Sequence, residues 1–336
     1  MISTENSTLL DTQSTSAQNF TQPTYRRHLI NKCPIQYYIT KELYRFIDDL
    51  DDTEYSYRLE SCRTMPFFMV NKNTLKVRIA SQSCNLRFCP LCQKSKRSNI
   101  AANVKKWMKS EKHPKMITLT MKTTDEDLKI QLDRLYKCFK QLRRLKLFKE
   151  KTTGGIWFFQ VTQTTNPKAF HPHLHIITAG DYIPHRQLSR EWQRITGESF
   201  IVDLRAVKNI KKSADYVSRY ATMPANLLYM EQMAQACLFY AIKGRRLCGT
   251  FGSAYKQKLT KKPEIDKETW KKIKPFHEIM KMQDGDETAK AMVQAWISGK
   301  PLKEMPNFPS SLKFSNIIDT DKNKPEPEPY LEFDIF

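Results

Sequence analysis

The sequence predicts an α+β fold, an antiparallel β-sheet with helices packed on it, and three observations carry that expectation. Runs rich in β-branched and aromatic residues at 115–121, 156–163, 173–178 and 200–205 alternate with helical periods, in the order β-α-β-β-α-β-α. The two middle runs follow each other with no helix between them, which makes a hairpin and so an antiparallel pair. Apolar residues make up 40% of 336 positions, enough for a substantial core and about two domains. The pattern suggests helices covering one face of the sheet.

Taken in order, residues 1–24 are rich in Ser, Thr, Gln and Asn and read as a disordered segment. A helix is expected over 37–50. Residues 62–92 form a cysteine-bearing unit with strand-like stretches at 67–70 and 75–79, and a basic helix follows over 93–109. Lys115 to Met121 alternates as a half-buried strand does. Leu128, Leu132, Leu135, Phe139 and Leu142 give 125–149 a helical period. After the hairpin come a helix at 186–195, the strand 200–205 and a helix at 210–222. Residues 227–242 and 267–297 read as helical. The expected organisation is therefore 1–24 disordered, 25–110 an N-terminal region with the cysteine unit, 111–255 the sheet domain, 256–318 a C-terminal helical accessory region and 319–336 an acidic tail.

The net charge of +21 is unevenly spread. Residues 1–24 hold Glu5 and Asp11 with no Lys or Arg. Residues 319–336 hold Asp319, Asp321, Glu326, Glu328, Glu332 and Asp334 against Lys322 and Lys324. The folded middle is more basic still, which implies a polyanionic partner, most simply nucleic acid. No apolar run is long enough to span a membrane and no signal peptide is legible, so a cytoplasmic protein without a membrane partner is expected. In that compartment eight cysteines read as metal ligands or free thiols, not as disulfides.

Cys84, Cys89 and Cys92 fall within nine residues, and Cys62 lies upstream across the apparent hairpin. Four thiolates in a tetrahedron saturate Zn²⁺ and make a structural site. Cys33 competes with Cys62 for the fourth place. Lys94, Lys96 and Arg97 follow the knuckle directly, so the unit is expected to present cations to a phosphate backbone.

Two further groups carry chemistry. In His171-Pro172-His173-Leu174-His175, strand alternation projects His173 and His175 from one side, where two imidazoles can grip a divalent cation. The ordinary alternative is a strand whose histidines face water. Tyr216 and Tyr220 stand four apart on a helix among Lys208, Lys211, Lys212 and Arg219. Aromatics at that spacing are usually core. Among cations, however, a phenolate is favoured and is a competent nucleophile towards phosphorus. A metal on the histidines would polarise the phosphate such a nucleophile attacks.

The ordered set resembles the rolling-circle replication initiator (Rep) proteins of small plasmids, within the HUH endonuclease superfamily. The resemblance runs from Cys62 through Cys84-Asn85-Leu86-Arg87-Phe88-Cys89-Pro90-Leu91-Cys92-Gln93, Met116-Ile117-Thr118-Leu119-Thr120, the histidine motif and Tyr216-Val217-Ser218-Arg219-Tyr220 to Lys243–Gly252. It implies that 111–255 is an HUH endonuclease domain, that His173 and His175 hold Mg²⁺ or Mn²⁺, and that Tyr220 is the nucleophile. The reaction implied is metal-dependent nicking and rejoining of a single-stranded or hairpin DNA origin through a 5′-phosphotyrosine, with host helicase and polymerase as partners. Two departures stand out. Tyr216 occupies the place where such plasmid initiators often carry an acid, an arrangement similar to two-tyrosine phage initiators and HUH transposases. Gln160 stands where a glutamate ligand is common, with Gln163 and His185 as rivals for that role. An HUH transposase or relaxase would use the same chemistry. A non-enzymatic zinc-dependent nucleic-acid-binding regulator would explain the cysteines and the charge, but not the histidines and tyrosines.

Overall fold

A computed structural model describes residues 25–164, 169–260 and 269–308, and the backbone of 332–335. The expected disordered segment 1–24 and all of the acidic tail 319–336 except that backbone lie outside the described residues. The chain opens with α1 (Tyr25–Asn31), α2 (Pro34–Asp51) and α3 (Tyr55–Ser61), then the hairpin β1 (Phe67–Asn71) and β2 (Val77–Ser83), and the long α4 (Pro90–Ser110). The central part runs β3 (Lys115–Thr120), α5 (Leu128–Leu142), α6 (Lys146–Lys151), β4 (Gly154–Gln163), β5 (Phe170–Ala179), α7 (His185–Thr196), β6 (Val202–Ala206), α8 (Ile210–Thr222), α9 (Gln232–Ile242) and β7 (Cys248–Gly252). It closes with β8 (Trp270–Pro275), α10 (Phe276–Met282), α11 (Glu287–Ser298) and β9 (Glu332–Ile335).

The fold is α+β with antiparallel sheets. The larger sheet has the order β6-β3-β5-β4-β7, all pairs antiparallel, with the β4–β5 hairpin at its centre. Alternation divides its side chains cleanly. Ile117, Leu119, Phe159, Val161, Leu174 and Ile176 point to one face and join a core with α5, α7 and α9. Ile156, Phe158 and Ile177 point to the other, where Ile100, Val104 and Trp107 of α4 and Ala214 and Val217 of α8 cover them. Helices thus cover both faces, not the one expected. The reason is that each central strand carries apolar residues on both sides, and α4 lies upstream of the alternating pattern that suggested a single layer.

Two element assignments differ from the sequence reading. The 125–149 helix breaks after α5, where Arg143 and Arg144 make the turn into α6. The 267–297 stretch begins with a strand, β8, that pairs with β1. Its Trp270-Lys271-Lys272-Ile273 stretch does not alternate as a half-buried strand does, and a helical run follows it. The small sheet, β8-β1-β2-β9, packs on α1, α10 and α11 through Tyr25, Phe68, Val70, Ile79, Phe276 and Ile279. The rings of Phe68 and Phe276 stack 5.5 Å apart at 3°.

Candidate active site and cysteine centre

The histidine pair sits at the centre of the large sheet, on the face that α4 and α8 cover. Register sets Thr120, His173 and Gln160 in one row across β3, β5 and β4, and Thr118, His175 and Phe158 in the next. Gln160 Oε1 lies 2.7 Å from His173 Nε2 and 2.5 Å from His175 Nε2. The other imidazole nitrogens are held from behind. His173 Nδ1 lies 3.1 Å from the His171 carbonyl, and His175 Nδ1 lies 3.2 Å from Thr118 Oγ1.

The surroundings set the charge of both rings. Burial, reinforced by the neighbouring histidine in each case, lowers His173 to about 4 and His175 to about 3. Both rings are therefore neutral at neutral pH. The His171 carbonyl and Gln160 Oε1 both only accept, and a neutral imidazole has one N–H, so one His173 nitrogen turns a bare lone pair to an acceptor. With the proton on Nδ1, the bare Nε2 and Gln160 Oε1 would repel one another and both attract a divalent cation. Two neutral imidazoles and one amide oxygen form a donor set that a divalent cation could use.

The rivals to Gln160 lie elsewhere. Gln163 has the opposite parity on β4, and His185 on α7 bonds the Val202 carbonyl at 2.8 Å. His171 remains half-buried beside His173, with ring centroids 5.6 Å apart. Thr118 and Thr120, opposite the two histidines, went unremarked as site residues in the sequence. The signal was there, because Met116-Ile117-Thr118-Leu119-Thr120 puts both threonines on one face.

The tyrosines arrive from α8. Asn209 caps this helix, its side chain accepting from Lys212 N at 2.9 Å, which is worth about 1 kcal/mol. Buried Ala214 and Val217 press it on the sheet and on α4, and this turns both tyrosines to the histidines. The Tyr220 ring stacks on His175 at 4.4 Å and 13°, and the Tyr216 ring meets His175 edge-on at 5.7 Å. The two tyrosine rings are 5.3 Å apart. The sequence argument that nearby cations favour the Tyr220 phenolate is not upheld in the free protein. Burial and the hydrogen bond with Tyr216 raise its phenol above the ordinary value, and only Arg219 opposes them. The lysines that were expected to help, Lys208, Lys211 and Lys212, are exposed and contribute nothing resolved to it.

A cleft opens beside Tyr220, lined by Gln160, Lys94, Arg97 and Arg219, with Asp215 its single carboxylate. Arg97 is lowered first by burial and then by Arg219, so two guanidiniums converge where a phosphate would reconcile them. Arg219 also lies over the Tyr216 ring at 5.0 Å.

The cysteines come together as well. The sulfurs of Cys62, Cys84, Cys89 and Cys92 all lie within 4.8 Å of one another and all four residues are buried. Cys33, the competitor, bonds the Leu29 carbonyl instead. Burial pushes Cys89 up, while hydrogen bonds from the other three thiols hold Cys92 down. Four buried sulfurs this close together suit a closed, tetrahedral metal ion. Cys89 precedes α4 directly, so this centre fixes the start of the helix that carries Lys94 and Arg97 into the cleft. Among the described residues, no helix is long and apolar enough to cross a membrane.

The family model for replication proteins matches residues 75–301, more than half of the chain. The chain is similar to a protein named Protein rep from Staphylococcus aureus, at 22% identity over 189 residues covering 51% of this chain and 82% of that one. It is also similar to a Protein rep from Lactiplantibacillus plantarum, at 22% identity over 205 residues covering 52% of this chain and 64% of that one, just under two thirds of its length. No solved structure matches. Over residues 75–301, which include the histidine strand and the tyrosine helix, the chain belongs to the replication protein family.

Proposed function

We propose that the protein initiates rolling-circle replication of a plasmid by nicking and later rejoining one DNA strand at its origin, with Tyr220 as the nucleophile. The observation that carries this reading is the stacking of Tyr220 on His175, at the mouth of a cleft that Lys94, Arg97 and Arg219 line. Arg97, Arg219 and Lys94 would bind the phosphates and bring the scissile one to the phenol. Tyr220 Oη would attack phosphorus while the 3′-oxygen departs. The phenol loses a proton, the 3′-oxygen gains one, and the bond energy is conserved in a 5′-phosphotyrosine. A Mg²⁺ or Mn²⁺ ion on His173, His175 and Gln160 would supply Lewis-acid polarisation of the phosphate. Cys62, Cys84, Cys89 and Cys92 would hold Zn²⁺ in a structural role. The freed 3′-OH would prime a host polymerase, with a host helicase opening the duplex, in the cytoplasm.

The test is covalent capture. The protein is mixed with a labelled single-stranded oligonucleotide from its replicon's origin and either ion, then run under denaturing conditions. Labelled protein is expected for the native chain and none for Tyr220→Phe. An undiminished adduct with that variant overturns the assignment.

A further inference from the structure

The cleft at Tyr220 continues past the start of α4. Cys33, Pro90, Lys94 and Ser98 line it and also line a second groove, which runs between α4, α1 and the small sheet. The far walls of that groove are His28, Lys32, Arg78 and Trp296. Apart from the Cys33 thiol and the Tyr25 phenol, its ionisable wall groups are basic, and among the described residues no Asp or Glu lines it. Concave basic surfaces focus positive potential, and here no carboxylate in the wall relieves it.

Three features at the junction point to an anionic, partly aromatic ligand. Gln93, in the cleft wall beside Lys94, has its amide Nε2 buried without a hydrogen-bond partner. α4 begins at Pro90 with no side-chain cap, so the positive end of a 21-residue helix faces the place where the grooves meet. On the far side Trp296 is half-buried, and Arg78 stands over Trp270 at 5.0 Å, which holds its guanidinium on the wall.

The structure assigns this second groove to the sugar–phosphate backbone of the nicked strand beyond its scissile phosphate. One DNA strand then crosses the start of α4 from Tyr220 to Arg78 and Trp296. The assignment rests on the nicking reading for what lies in the first cleft. It adds that the cysteine centre, by fixing the start of α4, sets the saddle between two DNA subsites, and that residues outside the large-sheet domain contribute to binding.

The experiment uses the full chain and its replicon's origin. Fluorescence anisotropy compares a minimal single-stranded oligonucleotide spanning the nick with versions extended by roughly ten nucleotides on either side. The extension is single-stranded in one arm and folded into a hairpin in the other. The native chain should bind one single-stranded extension at least about tenfold more tightly than the minimal strand. Lys32→Glu and the double variant Lys32→Ala/Arg78→Ala should lose that gain, with a salt slope shallower by about two for the double variant. Neither residue lines the Tyr220 cleft, so both variants should keep the native yield of adduct on the minimal strand, which also shows that they fold. Absence of any gain on extension, or native affinity of both variants for the extended strand, overturns the proposal. A gain confined to the hairpin arm replaces the nicked strand by the duplex stem as occupant. If the native chain forms no adduct at all, the nicking reading fails, yet the extension and variant affinities still decide the groove.

Discussion

The Tyr220 ring lies nearly flat on the His175 imidazole, 4.4 Å centre to centre. One strand residue and one helix residue, 45 positions apart, thereby set the proposed nucleophile and the proposed ion ligand in contact. Sites built on regular elements hold their geometry better than sites on loops. Tyr216 reaches the same histidine from its edge, so two phenols address one centre.

That double approach separates the tyrosines experimentally. Tyr216→Phe should retain at least about a tenth of the first-nick adduct while strand rejoining falls by about a hundredfold or more. A suicide origin substrate that reports cleavage and joining separately measures both. Native rejoining would remove Tyr216 from the second step.

Gln160 would offer an ion an oxygen without a charge. Gln160→Glu places a carboxylate at the same register position, 2.7 and 2.5 Å from the two imidazoles in the native geometry. Mn²⁺ affinity, read by calorimetry or paramagnetic resonance, should rise about tenfold, because ligand charge count tunes affinity at oxygen sites. Unchanged affinity would mean that Gln160 does not reach the ion.

The neutral histidines make stability depend on pH in the metal-free protein. Folded, His173 protonates only near about 4 and His175 near about 3, whereas both start from 6.5 in the unfolded chain. As pH falls below about 6.5 the unfolded chain takes up protons that the folded one refuses. Their contribution is complete above that pH and is lost progressively as pH falls towards 4 and 3. Denaturant midpoints measured from pH 7 to 4 should fall, and less steeply in His173→Asn/His175→Asn.

Removal of the metal from the cysteine centre should disturb more than the hairpin. Purified protein should carry about one Zn²⁺ per chain. Chelation under denaturant, or Cys92→Ser, should lower stability by several kcal/mol and also weaken DNA binding, because Lys94 and Arg97 follow the knuckle on α4. Metal analysis with thermal melts checks the first, and anisotropy the second.

Much of this was legible in one dimension. Alternation at Lys115–Thr120 and through the histidine motif gave the strands and the shared face of His173 and His175, since a strand's side-chain period of two is local geometry. The tyrosine spacing gave their common helix face for the same kind of reason. The cysteine spacing anticipated the cluster, though not the choice of Cys62 over Cys33, which depends on how the β1–β2 hairpin folds back. Trp270–Pro275 was misread as helix because a six-residue edge strand before two short helices gives too little alternation to compete with their period.

The sequence by itself determined which chemistry is present: two imidazoles on one strand face, two phenols on one helix face, four thiols in a knuckle and an excess of positive charge. Each follows from spacing along a regular element. Tertiary structure decided what meets what. Strand register made Gln160 and not Gln163 the third group at the histidines. Packing of α8 between sheet and α4 put Tyr220 on His175, and burial there raised the phenol that neighbouring charge alone would have lowered. Register across strands and desolvation between layers depend on contacts between residues far apart in the chain, so no local pattern encodes them.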